Sequence, residues 1–315
     1  MNSLIRMHKS VLLQEVVAGL APQAGEVILD ATVGGGGHSE ALCRAVGGDA
    51  RFVCLDADDD ALGRSKQRLA RCGCEFLFYR TNFRNLETAL DSFGIGEVNR
   101  ALFDLGMSSE QLEESGRGFS FQRDEPLLMT FQKIPPRLTF QKKLGGYSLH
   151  QGRIQERELT AARIVNEWDA ENIETILESY GEEKAAKRIA QRIVAARAKK
   201  PFRTSRELAE LIEETVRRRG RIHPATKTFQ ALRVAVNDEF RALQEALPQA
   251  WERLAKGGRM AVISFQSIED RQVKRFFREK ATAGDGTLIT KKPVVPSEAE
   301  VKVNPRARSA KLRII

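Results

Sequence analysis

The segment Asp30-Ala31-Thr32-Val33-Gly34-Gly35-Gly36-Gly37-His38-Ser39 is where bare backbone could meet a ligand. Four consecutive glycines remove every Cβ from one stretch of chain, so a ligand can lie against peptide N–H groups. If a helix begins there, its unbonded N–H groups and positive dipole end favour a carboxylate or a phosphate. Two common phosphate loops fail on spacing. A G-x-G-x-x-G frame begun at Gly34 reaches Ser39 where its last glycine should be, and one begun at Gly35 reaches Glu40. No Gly-Lys-Ser/Thr follows, so the segment is not a P-loop either. The same failure removes a nicotinamide-dependent dehydrogenase from consideration. What remains is D-x-x-x-G-x-G, running from Asp30 to Gly36.

Three further positions carry chemistry. Leu55-Asp56-Ala57-Asp58 closes an apolar run, and an acid there can accept hydrogen bonds from both hydroxyls of a ribose. Asp56 is assigned to the ribose and Asp58 to the cap of the following helix. Phe83, in Thr81-Asn82-Phe83, could contact an adenine or simply fill core. Asp104-Leu105-Gly106-Met107-Ser108-Ser109 puts a carboxylate at the end of another run, where it could face a cationic donor or accept a proton from an amine.

These residues need strands and helices to hold them. Apolar, β-branched runs predict strands at 26–33, 51–56, 75–79 and 99–105, with helical patterns at 40–46 and 58–70 between them. That alternation predicts βαβ units and a mostly parallel sheet in an α/β fold. Further strands are predicted at 259–265, 287–295 and 309–315. Between the two sets lies a mainly helical stretch, with helices at 160–168, 171–179 and 182–199. Pro224–Leu247 reads as one helix packed on the sheet, because Phe229, Leu232, Val236, Phe240, Leu243 and Leu247 step by three or four. The expected division is a sheet domain in two parts, 1–108 and 207–315, around an inserted helical domain, 109–206. Thr130–Glu158, with its prolines and glycines, reads as irregular.

The formal charge of +9 is concentrated rather than spread. Lys184–Lys227 holds 14 Lys and Arg against 4 Glu, more than the whole net charge, which suits a polyanionic partner such as RNA. Its densest part is Arg217, Arg218, Arg219 and Arg221. Cys43, Cys54, Cys72 and Cys74 lack the spacing of a disulfide framework or of a metal set, and no metal is expected. No apolar run approaches a membrane span, and MNSLIRMHKS lacks a secretory core. The expected location is cytoplasmic.

The Asp30–Gly36 pattern is similar to the first motif of class I methyltransferases. Beyond it, the chain resembles the bacterial 16S ribosomal RNA cytosine-N4 methyltransferase H family over almost its whole length. The matching segments include His8–Glu15, Asn82–Leu86, Asp104–Leu112 (DLGMSSEQL), Arg117-Gly118-Phe119-Ser120-Phe121, Tyr180–Lys184, Gly220–Glu239 and Asn304–Ile315. The resemblance implies a class I (Rossmann-like) methyltransferase sheet with a helical substrate-recognition domain inserted after the fourth strand. It implies S-adenosylmethionine as cofactor, with contacts at Gly36, Gly37, His38, Asp56, Phe83, Asp104 and Gln111. The implied substrate is a cytidine of 16S rRNA, methylated on N4 within the small ribosomal subunit near the decoding centre.

Asp104 is the candidate acceptor for the amine's proton, with Ser108 and Ser109 behind it. One departure bears on this. Ser264-Phe265-Gln266-Ser267 stands where the family carries Ser-Phe-His-Ser, and glutamine cannot act as a base. A ribosome-assembly factor that keeps the cofactor fold with weak catalysis is the alternative this departure suggests.

Overall fold

The computed structural model describes residues 10–108, 111–112, 115–131, 159–216 and 223–315. They form two compact units, one from the residues before 110 together with 239–315, the other from those between 110 and 238. The second unit thus ends at Asp238, beyond the 206 expected from sequence. In the first unit, β1 (Glu26–Asp30), β2 (Ala50–Asp56), β3 (Glu75–Arg80), β4 (Val98–Asp104) and β5 (Leu254–Ser264) are parallel, and β6 (Lys311–Ile314) runs antiparallel to β5. The order is β3-β2-β1-β4-β5-β6, so the winding direction reverses between β1 and β4. Ligands bind at such a reversal, beyond the carboxyl ends of the strands.

Helices cover both faces of the sheet, which is why its strands read as continuous apolar runs rather than alternating ones. Successive residues go to opposite cores. Ile28, Phe52, Leu102 and Ala261 join one cluster with Leu42 and Leu69; Leu29, Val53, Phe103 and Val262 join the other with Leu86 and Leu243. The first cluster is closed by α1 (Leu13–Leu20), α2 (Gly37–Ala45) and α3 (Asp59–Leu69), the second by α4 (Leu86–Ser92) and helices from the end of the chain. Truncating a fully buried ring such as Phe103 would cost about 3–5 kcal/mol.

In the second unit the chain forms α5 (Ala161–Glu167), α6 (Ala170–Gly181), α7 (Ala186–Arg197), α8 (Ser205–Thr215) and α9 (Thr226–Asn237). Three of these start where the sequence supplies an oxygen for the exposed N–H groups: Thr160, Asp169 and Thr204 each accept from the residue three further on. A Cβ at Gly181 would sit 2.6 Å from the Lys227 carbonyl, so α6 and α9 approach as they do only because that residue is glycine. Phe121 is stacked on the His223 ring, centroids 4.2 Å apart, with Phe229 edge-on to it.

Two element expectations are corrected. Pro224–Leu247 is not one helix. Asp238 adopts a left-handed backbone, φ 51°, which ends α9 and lets a new helix, α10 (Glu239–Glu252), begin in the other unit. Only α10 packs on the sheet; α9 packs on α6 instead. The predicted strand at 287–295 is absent as well. Its residues lie beside β6 through an isolated bridge between Val294 and Leu312. Pro293 and Pro296 lack the N–H a ladder needs. The irregular stretch expected over 130–158 falls almost wholly outside the described residues.

Candidate functional site

At the carboxyl edge of the sheet, β1, β2 and β4 end in Asp30, Asp56 and Asp104. The three do different work. Asp30 is buried and faces inward, accepting from Ser39 Oγ at 2.5 Å and from the Thr32 N–H at 3.2 Å. Burial raises its pKa, against the lowering effect of the Ser39 bond. It holds the glycine loop to the start of α2 rather than pointing at a ligand.

The loop itself is stitched between its neighbours. Val33 N–H donates to the Leu55 carbonyl at 2.9 Å and Gly36 N–H to the Val33 carbonyl at 2.7 Å. Gly34 N–H donates to Asp56 Oδ2 at 3.0 Å, and Asp58 N–H donates to Asp56 Oδ1 at 2.8 Å. One backbone bond thus reaches each oxygen of Asp56, and each keeps a lone pair for a ligand hydroxyl. Burial pushes its pKa up to about 6, although both N–H donors pull it down. Asp58 caps α3 through the Asp60 N–H at 3.1 Å, as its sequence position suggested.

The glycines are needed for different reasons. Gly36 has φ +77°, and a Cβ there would meet Leu69 and Ser65 of α3 at 3.3 Å. A Cβ at Gly37 would run into the Ser10 hydroxyl. Both therefore turn their missing side chains toward protein, and α2 begins at Gly37 without a side-chain cap. Gly35 is the position whose Cβ direction is open: nothing lies within 4 Å.

His38 and Asp104 meet across the same edge. His38 Nε2 is 3.4 Å from Asp104 Oδ2, too poorly aligned to be a hydrogen bond. His38 is 5% exposed, yet neither ring nitrogen nor Asp104 Oδ1 has a hydrogen-bond partner among the described residues. Buried polar atoms left unpaired cost about 1–3 kcal/mol each. A polar ligand at this edge would satisfy them, so the site fits a cofactor with an amino-acid or amine group. Asp104 is held by its backbone, whose N–H donates to Thr32 Oγ1 at 2.6 Å. Thr32 was not singled out from sequence.

The remaining candidates divide. Phe83 opens a short 3-10 turn after β3 and stands edge-on to Phe103, centroids 6.0 Å apart, so it is part of the core as well as near the edge. Ser108 follows β4 and is partly exposed. Gln111 is buried and belongs to the second unit. Ser109, Arg217, Arg218, Arg219 and Arg221 lie outside the described residues. Gln266, at the end of β5, is the N-cap of α11 (Ser267–Ala283) and forms a capping box with Glu269, whose carboxylate accepts the Gln266 N–H at 3.1 Å. A glutamine there has a structural task. The cysteines are free, and no cluster of three or more metal-binding side chains occurs among the described residues. Among those residues, too, no helix is long and apolar enough to cross a membrane.

A parallel sheet reversed between β1 and β4, with a glycine loop leaving β1 and acids closing β2 and β4, defines an S-adenosylmethionine-dependent methyltransferase of class I. The match to known sequences is narrower than that class. The chain belongs to the MraW methylase family, whose pattern matches residues 6–315. It is 43% identical to the ribosomal RNA small subunit methyltransferase H of Heliobacterium modesticaldum over 325 residues, covering 97% of each chain. Proteins of the same name from Symbiobacterium thermophilum and Limosilactobacillus fermentum are 41% and 42% identical, covering 98% of this chain and 96% and 97% of theirs. Such relatives do not favour an assembly factor with weak catalysis.

Proposed function

We propose that this protein methylates the exocyclic N4 of a cytidine in 16S rRNA, within the small ribosomal subunit near the decoding centre, in the cytoplasm. The observation that carries the reading is the meeting of a glycine loop, a ribose-type acid and an unpaired His38–Asp104 pair at one sheet edge. The relatives' names supply the RNA class. When bound, S-adenosylmethionine would supply an electrophilic methyl group on a sulfonium, whose S–C bond gives way to leave a neutral thioether.

The chain's residues do the rest. Backbone of Gly36 and Gly37 and the side chain of His38 receive the amino-acid part, the Asp56 carboxylate takes the ribose hydroxyls, and Phe83 borders the adenine. Gln111 is a further cofactor contact that the family resemblance implies, the helical unit receives the RNA, and Arg217, Arg218, Arg219 and Arg221 hold phosphates. The cytosine amine is a weak nucleophile because its lone pair is delocalised into the ring. Asp104 accepts a hydrogen bond from one of its N–H groups, turns the lone pair toward the methyl group, and takes the proton that leaves as the N–C bond forms. Ser108 and Ser109 are secondary acceptors. The base must leave its stack to reach this edge.

The test is methyl transfer to purified small subunits from cells lacking the protein, followed by mass-spectrometric mapping of the RNA. N4-methylcytidine at a single position is expected. A methyl group on another base, or none, overturns the reading.

A further inference from the structure

Summed charge points to one segment for a polyanionic partner, Lys184–Lys227, because acids elsewhere cancel the remaining cations. The fold shows a second. On α11, Val273 and Phe277 are buried against the sheet, and Phe276 and Lys280 pack about Trp251, with Lys280 Nζ 5.3 Å from its ring centre. At about 100° per residue, the opposite face carries Arg271, Lys274, Arg275 and Arg278 within an arc of about 100°. Arg271, Arg275 and Arg278 are exposed, and the four share one open face of the helix that continues to Thr282 and Ala283.

Two of the helix's three acids are engaged away from Lys274, Arg275 and Arg278. Glu269 is turned to the start of the helix, where it accepts the Phe265 and Gln266 N–H groups. Asp270 is held by Arg313 at 2.7 and 3.2 Å and by Lys311 at 3.3 Å, on the sheet side. Glu279 is the one carboxylate on this open face among the described residues, 3.7 Å from Arg275. Lys274 and Arg278 have no acidic partner among the described residues.

We propose that this face of α11 is a second phosphate-binding surface for the RNA substrate. The proposal rests on the ribosomal RNA reading above and deepens it. The track from Arg271 to Arg278 is about 10 Å long at 1.5 Å per residue. That length lets the face meet two or more successive phosphates of one strand. It also starts within two turns of Gln266, at the edge where the site lies, and leads away from it. Cations in that place engage the strand that flanks the target base, which fixes its register without reading sequence.

The experiment uses the full chain carrying Lys274→Ser, Arg275→Ser and Arg278→Ser together. Binding to purified small subunits is followed over a salt series, with methyl transfer, S-adenosylmethionine affinity and thermal midpoint measured alongside. The expected result is a salt slope lower by about three and a KM for subunits raised at least tenfold, with cofactor affinity and midpoint unchanged. An unchanged slope and KM in a variant that still methylates overturns the second surface and leaves the function intact. Binding loss in the variant, where wild type binds subunits but makes no N4-methylcytidine, upholds the surface and overturns the function. Loss of binding to phosphatidylglycerol vesicles, with the subunit slope unchanged, assigns the stripe to a membrane and overturns it.

Discussion

The Asp104 N–H donates to the Thr32 hydroxyl at 2.6 Å, tying the loop after β1 to the end of β4. The bond fixes the backbone of the proposed proton acceptor without touching its carboxylate. Thr32 is therefore a positioning residue, and it can be tested as one. Thr32→Val keeps the shape and removes the acceptor, at a cost of about 1–3 kcal/mol for the stranded N–H. Denaturant unfolding should show that loss. Methyl transfer should lose kcat while cofactor affinity stays near wild type, and Thr32→Ser should restore both.

Asp56 makes opposite predictions for binding and for stability. Its pKa is raised to about 6, so between the ordinary carboxylate value and 6 the folded, ligand-free protein holds a proton that the unfolded chain has released. Stability from this group therefore falls as pH rises through that window. Cofactor affinity moves the other way, because ribose hydroxyls need the ionised form; it should weaken as pH drops below 6. Calorimetric titrations at pH 5 and 7.5 check this, and Asp56→Ala should lose about 1.5–3 kcal/mol of binding and flatten the pH dependence. Asp58→Ala should lower stability by about 1 kcal/mol and leave binding alone.

The glycine loop can be dissected by the direction of each missing side chain. Gly36→Ala forces a Cβ into the left-handed region and against Leu69 and Ser65, and should lower stability by about 1–2 kcal/mol. The Cβ of Gly35→Val meets no protein atom within 4 Å, so its melting temperature should stay close to wild type. If the cofactor lies against the loop, that same variant should bind it at least tenfold more weakly by calorimetry.

Replacing Arg217, Arg218 and Arg219 with Ser should weaken small-subunit binding and lower its salt slope by up to three, with S-adenosylmethionine affinity unchanged. An unchanged slope would leave the stripe on α11 and other cations to hold the RNA.

What could be read from sequence was what local pattern encodes. β2 and β4 announced themselves as apolar runs because both their faces are covered, and Asp58 as a cap because it precedes a helical pattern. The break at Asp238 left no trace, since Phe229, Leu232, Phe240 and Leu243 keep helical phase across it. Only a left-handed residue in an unremarkable aspartate separates the two helices. Thr32 was invisible for another reason: its partner is 72 residues away, and only strand order brings them together. Gly36 looked like ligand space, and its tight contact with α3 depends on how two helices pack.

The interrupted sheet has a bearing on how the protein is made. β4 pairs with β5 through registers such as Ala101 with Met260 and Leu102 with Ala261, and the chain between them includes the whole second unit. During synthesis at about 5–20 residues per second, residues 98 and 254 emerge roughly 8–30 s apart. For that interval β4 presents an unpaired row of N–H and C=O groups beside Ala101, Leu102 and Phe103, the kind of edge that recruits a second chain. A nascent or stalled polypeptide ending before Leu254 is thus the most aggregation-prone form of this protein, and a chaperone that acts on it would be guarding one strand.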